Sequence, residues 1–317
     1  MSEVKVLVTG GAGFIGSNLV VRLLDEGYGV RVMDDFSTGR RENLDSRAEL
    51  IEGDIDDEEL VGQAVRGAHL VSHQAAAGSV ARSVAQPLVT DRVNTHGTLT
   101  VLKASLDSGV KRVVSASSSS VYGGAGALPS AEAAALLPRS PYAVSKLAGE
   151  HYCRVFAEVY GLETVTLRYF NVYGPRQRPD SAYAAVIPLF ISALSSAQQP
   201  IIHGDGQQSR DFTFVDDVVQ ANLAAARAPA RAASGGVFNI ACGGSHSLLD
   251  LLDVLAREMG VSAAPVHTEA RPGDIVASQA DVTAARRALG FEAKVSFEEG
   301  LRRTVSWYRE VSGSPTP

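Results

Sequence analysis

Val4-Lys5-Val6-Leu7-Val8-Thr9-Gly10-Gly11-Ala12-Gly13-Phe14-Ile15-Gly16 sets the architecture of this 317-residue chain. An apolar, β-branched run feeds directly into glycines three apart, Gly10, Gly13 and Gly16, the pattern of a strand, a tight loop and a helix start. One glycine permits the tight turn, one lets the backbone approach a pyrophosphate, and one lets the helix lie against the strand. Leu19, Leu23 and Leu24 then recur at helical spacing up to Gly27, and Val30-Arg31-Val32-Met33 forms a second strand ending at Asp34 and Asp35. Together these segments make one βαβ unit.

The helix that opens at Phe14 and Ile15 offers unpaired N–H groups to a phosphate. Asp34, about 20 residues past the glycines, stands where a dinucleotide's ribose hydroxyls belong, and its charge repels a 2′-phosphate. NAD rather than NADP is therefore the expected cofactor. Arg40 and Arg41 could accommodate the extra phosphate, but Asp34 holds the nearer position.

Strand and helix patterns continue to alternate through the first half, as a doubly wound parallel sheet requires. Leu50–Ile55 reads as a third strand whose end sets Asp54 and Ile55 against an adenine. Ala68–Ala76 reads as a fourth, and its small terminal residues Ala75 and Ala76 allow close approach to a cofactor. Lys111–Ala116 reads as a fifth, running into Ser117-Ser118-Ser119-Ser120-Val121-Tyr122-Gly123. The fold class expected is α/β, a Rossmann sheet with a smaller α/β substrate-binding domain.

With 45% hydrophobic and 20% charged residues the chain can bury one large core or two modest ones. A net charge of −6 argues against a nucleic-acid or membrane-surface protein. No export signal and no apolar run of membrane-spanning length is visible, so a cytoplasmic location is expected. Cys153 and Cys242 stand alone and read as free thiols. The seven histidines are scattered along the chain and no metal site is expected.

Tyr142 and Lys146, in Ser140-Pro141-Tyr142-Ala143-Val144-Ser145-Lys146, lie four apart and share a helix face. A phenol with a pKa near ~10 is a poor base at neutral pH until a neighbouring cation stabilises its phenolate, and Lys146 is placed to do so. Because the carboxyl ends of parallel strands face the ligand crevice, the serine run belongs beside this pair, and Ser118 is expected to share a hydrogen bond with Tyr142 and a substrate hydroxyl.

These motifs, together with His73-Gln74-Ala75-Ala76-Ala77-Gly78-Ser79-Val80 and Leu167-Arg168-Tyr169-Phe170-Asn171-Val172-Tyr173-Gly174-Pro175, make the chain resemble an extended short-chain dehydrogenase/reductase. Within that group it is similar to the UDP-hexose 4-epimerases, nearest to the UDP-N-acetylglucosamine 4-epimerase type, over nearly its whole length. The resemblance implies that NAD stays bound, that carbon 4 of a UDP-sugar is oxidised to a ketone and reduced again from the other face, and that Tyr142 is the base. It assigns to Lys146 the lowering of the tyrosine pKa and a hold on the nicotinamide ribose, and to Ser118 the orientation of the sugar hydroxyl. Nucleotide-sugar 4,6-dehydratases carry an Asp-Glu pair where this chain has Ser119 and Ser120, so dehydration is disfavoured and these serines are left to line the substrate side.

The same resemblance places Asn171 at the sugar diphosphate, Ala185 and Val186 in the segment that grips uracil, Arg210 and Arg271 on the pyrophosphate, and Asp274 on a ribose hydroxyl. Ser278 matches the gate beside the sugar's 2-substituent, where a small residue leaves room for an N-acetyl group. UDP-N-acetylglucosamine and UDP-N-acetylgalactosamine are thus the expected pair, with UDP-glucose and UDP-galactose also possible. UDP-glucuronate 4-epimerisation is the alternative, and a non-catalytic NAD-sensing protein is an alternative of a different class.

Residues 1–170 are expected to form the NAD-binding half, with later segments returning to it, residues 171–311 mainly the nucleotide-sugar half, and 312–317 a flexible tail. Asp216 and Asp217 read as helix-start residues. A homodimer is expected through helices near Val93–Ser108 and Tyr142–Tyr160, whose stripes are Leu99, Leu102 and Leu106, and Val144, Ala148, Tyr152 and Val155.

Overall fold

Strand β1 (Lys5–Thr9) buries Val6, Leu7 and Val8 completely. Parallel strands are covered on both faces and so read as unbroken apolar runs. The protein's structure, a computed structural model, describes residues 5–124, 126–178, 185–270 and 275–312. After β1 come α1 (Phe14–Asp25), β2 (Gly29–Asp34), β3 (Glu49–Glu52), α2 (Glu58–Val65), β4 (Leu70–His73), α3 (Val80–Ala85), α4 (Pro87–Asp91), a π-helical turn (Arg92–His96), α5 (Gly97–Asp107), β5 (Arg112–Ser118), α6 (Pro141–Tyr160) and β6 (Glu163–Tyr169). Then follow β7 (Val172–Tyr173), α7 (Val186–Ser195), β8 (Ile201–His203), β9 (Ser209–Arg210), β10 (Thr213–Phe214), α8 (Val215–Arg227), α9 (Ala230–Ala233), β11 (Gly236–Ile240), β12 (His246–Ser247), α10 (Leu248–Met259), β13 (Val266–Thr268), α11 (Thr283–Leu289) and α12 (Phe297–Ser312).

Seven strands form one parallel sheet in the order β11-β6-β5-β4-β1-β2-β3. This is a doubly wound Rossmann sheet whose strand order reverses between β1 and β4, and the crevice at that switch point is where such folds bind ligands. Successive β1 side chains go to opposite layers. Val6 and Val8 pack with Leu19, Leu23 and Leu223 of α1 and α8, and Leu7 packs with Val101, Val113 and Phe156 on the side of α2, α5 and α6. A further core, built on Tyr173, Phe190, Phe214, Leu251 and Leu301, joins α7, α10 and α12 beyond the sheet.

Strand ends differ from the sequence expectations for a common reason, which is where a ladder partner stops. β3 ends at Glu52 rather than Ile55, because Gly53 N–H closes the ladder on the Asp34 carbonyl (3.1 Å) and the chain turns away. β4 ends at His73 rather than Ala76, since its neighbour β1 stops at Thr9. β5 runs on to Ser118, because β6 stays beside it through the pairs Ser117↔Arg168 and Ser118↔Tyr169. The helix expected from Val93 begins earlier, at Pro87, and passes through the π-helical turn.

Asp216 and Asp217 do stand in the first turn of α8, but Asp217 also accepts from the backbone N–H groups of Lys294 (2.8 Å) and Val295 (3.2 Å). Its carboxylate ties the loop before α12 to α8. Of the apolar stripes, Leu102 is buried in the core, whereas Val144 and Val155 are exposed. Among the described residues no helix is long and apolar enough to cross a membrane. The expected tail, 312–317, lies outside the described residues apart from the end of α12.

Candidate active site

The turn after β1 is shaped by what glycine lacks. Gly10 has φ +69°, and its N–H bonds the Met33 carbonyl at 2.8 Å. A Cβ on Gly16 would stand 2.1 Å from the Gly10 carbonyl oxygen, so only glycine lets α1 start this close to β1. A Cβ on Gly10 would meet the Ala75 backbone at 2.7 Å, which shows how tightly the loops after β1 and β4 approach. Between them opens a groove of about 460 Å³. Every residue expected from the sequence to hold the dinucleotide lines it: Gly10, Gly13, Phe14, Ile15, Gly16, Asp34, Asp54, Ile55, Ala75, Ala76, Tyr142 and Lys146.

Asp34, at the end of β2, accepts from the N–H groups of Ala12 (2.8 Å) and Phe36 (2.9 Å). Burial raises its pKa while those two bonds work to lower it. Its oxygens keep lone pairs for ribose hydroxyls, and its charge disfavours a 2′-phosphate. Arg40 and Arg41, which could have countered that preference, are engaged with Glu42 (2.9 Å) and Glu52 (2.5 Å). Glycine cradle, carboxylate and groove therefore fit NAD.

Ser140 caps α6 by accepting from Ala143 N–H (3.1 Å), and Pro141 at its first turn fixes the helix start one residue before Tyr142. Tyr142 lines both the dinucleotide groove and a second cleft of about 410 Å³, whose walls include Ser118, Ser119, Ser120, Asn171, Arg210 and Ser278. The phenol thus stands at the seam of two binding spaces. Burial pushes its pKa up, and a hydrogen bond with Ser118 acts in the opposite direction. The stabilisation expected from Lys146 takes a different form here: its ammonium donates to the Ala116 carbonyl at 3.0 Å, and burial lowers its own pKa to about 8. The counterweight to burial at Tyr142 comes from the Ser118 hydroxyl.

Asn171, with φ +33°, donates from Nδ2 to the Asp211 carbonyl (3.1 Å) and to Ser278 Oγ (3.2 Å). It and Arg210 also line a third cavity of about 810 Å³ that includes Ala185 and Val186. Asp211 holds this region together by accepting from the N–H groups of Cys242, Gly243 and Ala280, each at 3.1 Å. Arg271 and Asp274 lie outside the described residues.

Sequence reasoning missed a set of buried polar side chains beneath the seam. Tyr169 lines both binding spaces, donates to Gln74 Oε1 (3.2 Å) and accepts from Asn222 Nδ2 (2.8 Å). His73 sits between the hydroxyls of Thr9 (2.8 Å) and Thr98 (3.0 Å), kept neutral by burial with a pKa lowered to about 3. The one available signal was Glu150, a carboxylate on the same face of α6 as Tyr142 and Lys146.

Comparison with known proteins agrees with this geometry. Residues 6–241 match the model of the NAD dependent epimerase/dehydratase family. The UDP-glucose 4-epimerase of Mycolicibacterium smegmatis is 40% identical over 97% of this chain and 99% of its own. Among solved structures, the UDP-glucose 4-epimerase of Thermotoga maritima with UDP-glucose superposes with a TM-score of 0.93 at 39% identity, covering 97% of this chain and 99% of that one. The UDP-N-acetylglucosamine 4-epimerase of Methanobrevibacter ruminantium, in complex with UDP-N-acetylmuramic acid, gives 0.92 at 39% identity, covering 98% and 100%. With its glycine cradle, its tyrosine at the junction of two clefts and these full-length likenesses, the chain belongs to the NAD-dependent epimerase/dehydratase family.

Proposed function

We propose that this protein is a UDP-sugar 4-epimerase acting on UDP-N-acetylglucosamine and UDP-N-acetylgalactosamine, with UDP-glucose and UDP-galactose as poorer substrates. The observation that carries the reading is the position of Tyr142 at the seam between the dinucleotide groove and the serine-lined cleft, which Ser118 also lines. When bound, NAD supplies a hydride acceptor that can return the hydride, and a positive charge in its oxidised form. Ser118 orients the sugar's 4-hydroxyl, the Tyr142 phenolate takes its proton, and the same phenol returns that proton after the 4-keto sugar has presented its other face. Lys146 holds a positive charge one helical turn away. Arg210 grips the diphosphate, and Ala185 and Val186 face the base.

Ser119 and Ser120 in the cleft wall supply no carboxylate, which favours epimerisation over elimination of water. We further assign residues 1–170, with β11 returning, to the NAD half and 171–311 mainly to the sugar half, in a cytoplasmic homodimer. The exposed groove of about 590 Å³ lined by Leu99, Tyr152, Val155 and Tyr160 supports the dimer.

The test is incubation with UDP-N-acetylglucosamine, UDP-glucose and UDP-glucuronate separately, without added cofactor, followed by product identification. Turnover of UDP-glucuronate alone, or a 4-keto-6-deoxy product, ends this reading. Ser278→Tyr is expected to reduce kcat/KM for the acetylated pair by about 100-fold while sparing UDP-glucose, since a phenol would fill the space beside the 2-substituent. Equal loss on both sugars would show that Ser278 is no gate.

The rate should follow a bell in pH. With the positive charge of oxidised NAD offsetting the burial that raises the phenol, it rises as Tyr142 loses its proton and falls as the Lys146 ammonium loses its own, and because burial lowers Lys146 to about 8 the alkaline fall should begin near there. A kcat still rising at about pH 10 would contradict this.

A further inference from the structure

Behind the catalytic pair lies a buried ion pair that the reaction scheme does not use. Glu150, one turn beyond Lys146 on α6, is 4% exposed, and Arg168 on β6 is 3% exposed. They meet through two bonds, Arg168 Nε to Glu150 Oε1 at 2.8 Å and Nη2 to Oε2 at 2.7 Å. Ser117 Oγ donates to Glu150 Oε1 at 2.5 Å. Arg168 Nη1 donates onward to the Tyr122 hydroxyl (2.8 Å) and the Glu132 carbonyl (3.3 Å). The residues next in sequence are those of the site: Ser118 follows Ser117, and Tyr169 follows Arg168.

A buried ion pair seldom justifies itself by stability, because desolvating two charges offsets most of their attraction. Its placement here suggests another use. The titratable groups facing Lys146 are Tyr142, Glu150 and Cys153 on α6 and His73 on β4. Burial holds Cys153 near 11 as a neutral thiol and His73 near 3 as a neutral imidazole. Besides the Tyr142 phenolate of the catalytic form, Glu150, held in its ion pair with Arg168, is the group of opposite sign. Arg168 in turn faces Glu150, Glu132 and Tyr122, and the Glu132 carboxylate is turned to Asn239 N–H (2.8 Å).

We propose that Glu150, fixed by Arg168 and Ser117, is a positioning residue that keeps Lys146 an ammonium inside the protein and holds the serine end of β5 in register with α6. The trio clamps three elements at the point where Ser118, Tyr142 and Lys146 converge. This inference rests on the roles given above to Tyr142 and Lys146.

Glu150→Gln leaves Arg168 charged and unpaired and is prone to misfold. The informative variant is therefore the double change Glu150→Leu with Arg168→Met, which removes both charges at similar volume. It is expected to keep its thermal midpoint and a KM within about two-fold, and to lose about ten-fold or more in kcat at neutral pH. With only five lysines in the sequence, the Lys146 Cε resonance can be followed by NMR in protein carrying 13C-labelled lysine. Its titration should move down by about one pH unit, with the alkaline limb of kcat moving alongside. Glu150→Asp should recover part of both shifts.

Unchanged titration and pH profile in the double variant overturn the proposal. If the double variant does not fold, Ser117→Ala, which leaves the pair intact, should still lower kcat several-fold at constant KM, and a wild-type kcat there overturns it equally. Absence of UDP-sugar turnover in the unaltered protein would refute the functional reading instead, while the NMR titration would still report on Glu150.

Discussion

Replacing Tyr142 with phenylalanine is expected to lower kcat for UDP-sugar interconversion by at least about 10³-fold, with KM and the amount of bound dinucleotide little changed. The ring remains, so the wall it contributes to both binding spaces remains. What disappears is the phenol oxygen, the group placed to exchange a proton with a hydroxyl lying across the seam. Neighbouring phenols cannot take over. Tyr169 donates into the Gln74–Asn222 amide network and is pushed up to about 12 by burial, and Tyr122 donates to Asn239 Oδ1 at 2.7 Å. The measurement is steady-state turnover alongside the absorbance of bound dinucleotide. A variant that kept a tenth of the normal kcat would remove Tyr142 from the chemistry and with it the proposed function.

The second large effect belongs to Gly16→Ala. The added methyl would stand 2.1 Å from the Gly10 carbonyl oxygen and 2.9 Å from the Gly11 Cα, distances that no real Cβ tolerates. Both neighbours are backbone, so the turn must shift as a whole and α1 must move off β1. Overpacking on this scale costs about 3 kcal/mol or more, and affinity for NAD should fall by about 100-fold, because the same backbone approaches the pyrophosphate. Gly62→Ala is the control: it lies in α2, nothing stands within 4 Å of its built Cβ, and alanine suits a helix better by about 0.5–1 kcal/mol. Thermal unfolding and NAD titration of both variants give the comparison. A Gly16→Ala protein as stable and as tight as the control would mean that the turn is more compliant than its packing implies.

Local pattern carried the Rossmann half a long way. The glycine spacing, the apolar strands and the acidic end of β2 each follow from the neighbours of a few residues, and all twelve residues expected at the dinucleotide line one groove. Strand ends were less legible, since a strand stops where its partner does. β5 reaches Ser118 only because β6 runs beside it to Tyr169. Arg40 and Arg41 could be weighed from sequence but not resolved, as their glutamate partners emerge only when the loop folds.

The substrate side divides in the same way. Asn171, Arg210 and Ser278 could be picked out by resemblance, but that Asn171 bonds Ser278 across 107 positions is a product of tertiary packing. So is the clamp of Ser117, Glu150 and Arg168, and so is the network in which Gln74 meets Asn222 across 148 positions. Periodicity records whether a side chain is bound for the interior and which way its own element faces. It holds no information about which buried polar group will find which, because that is chosen by sheet order and register, and burial without a partner is too costly to leave the choice open.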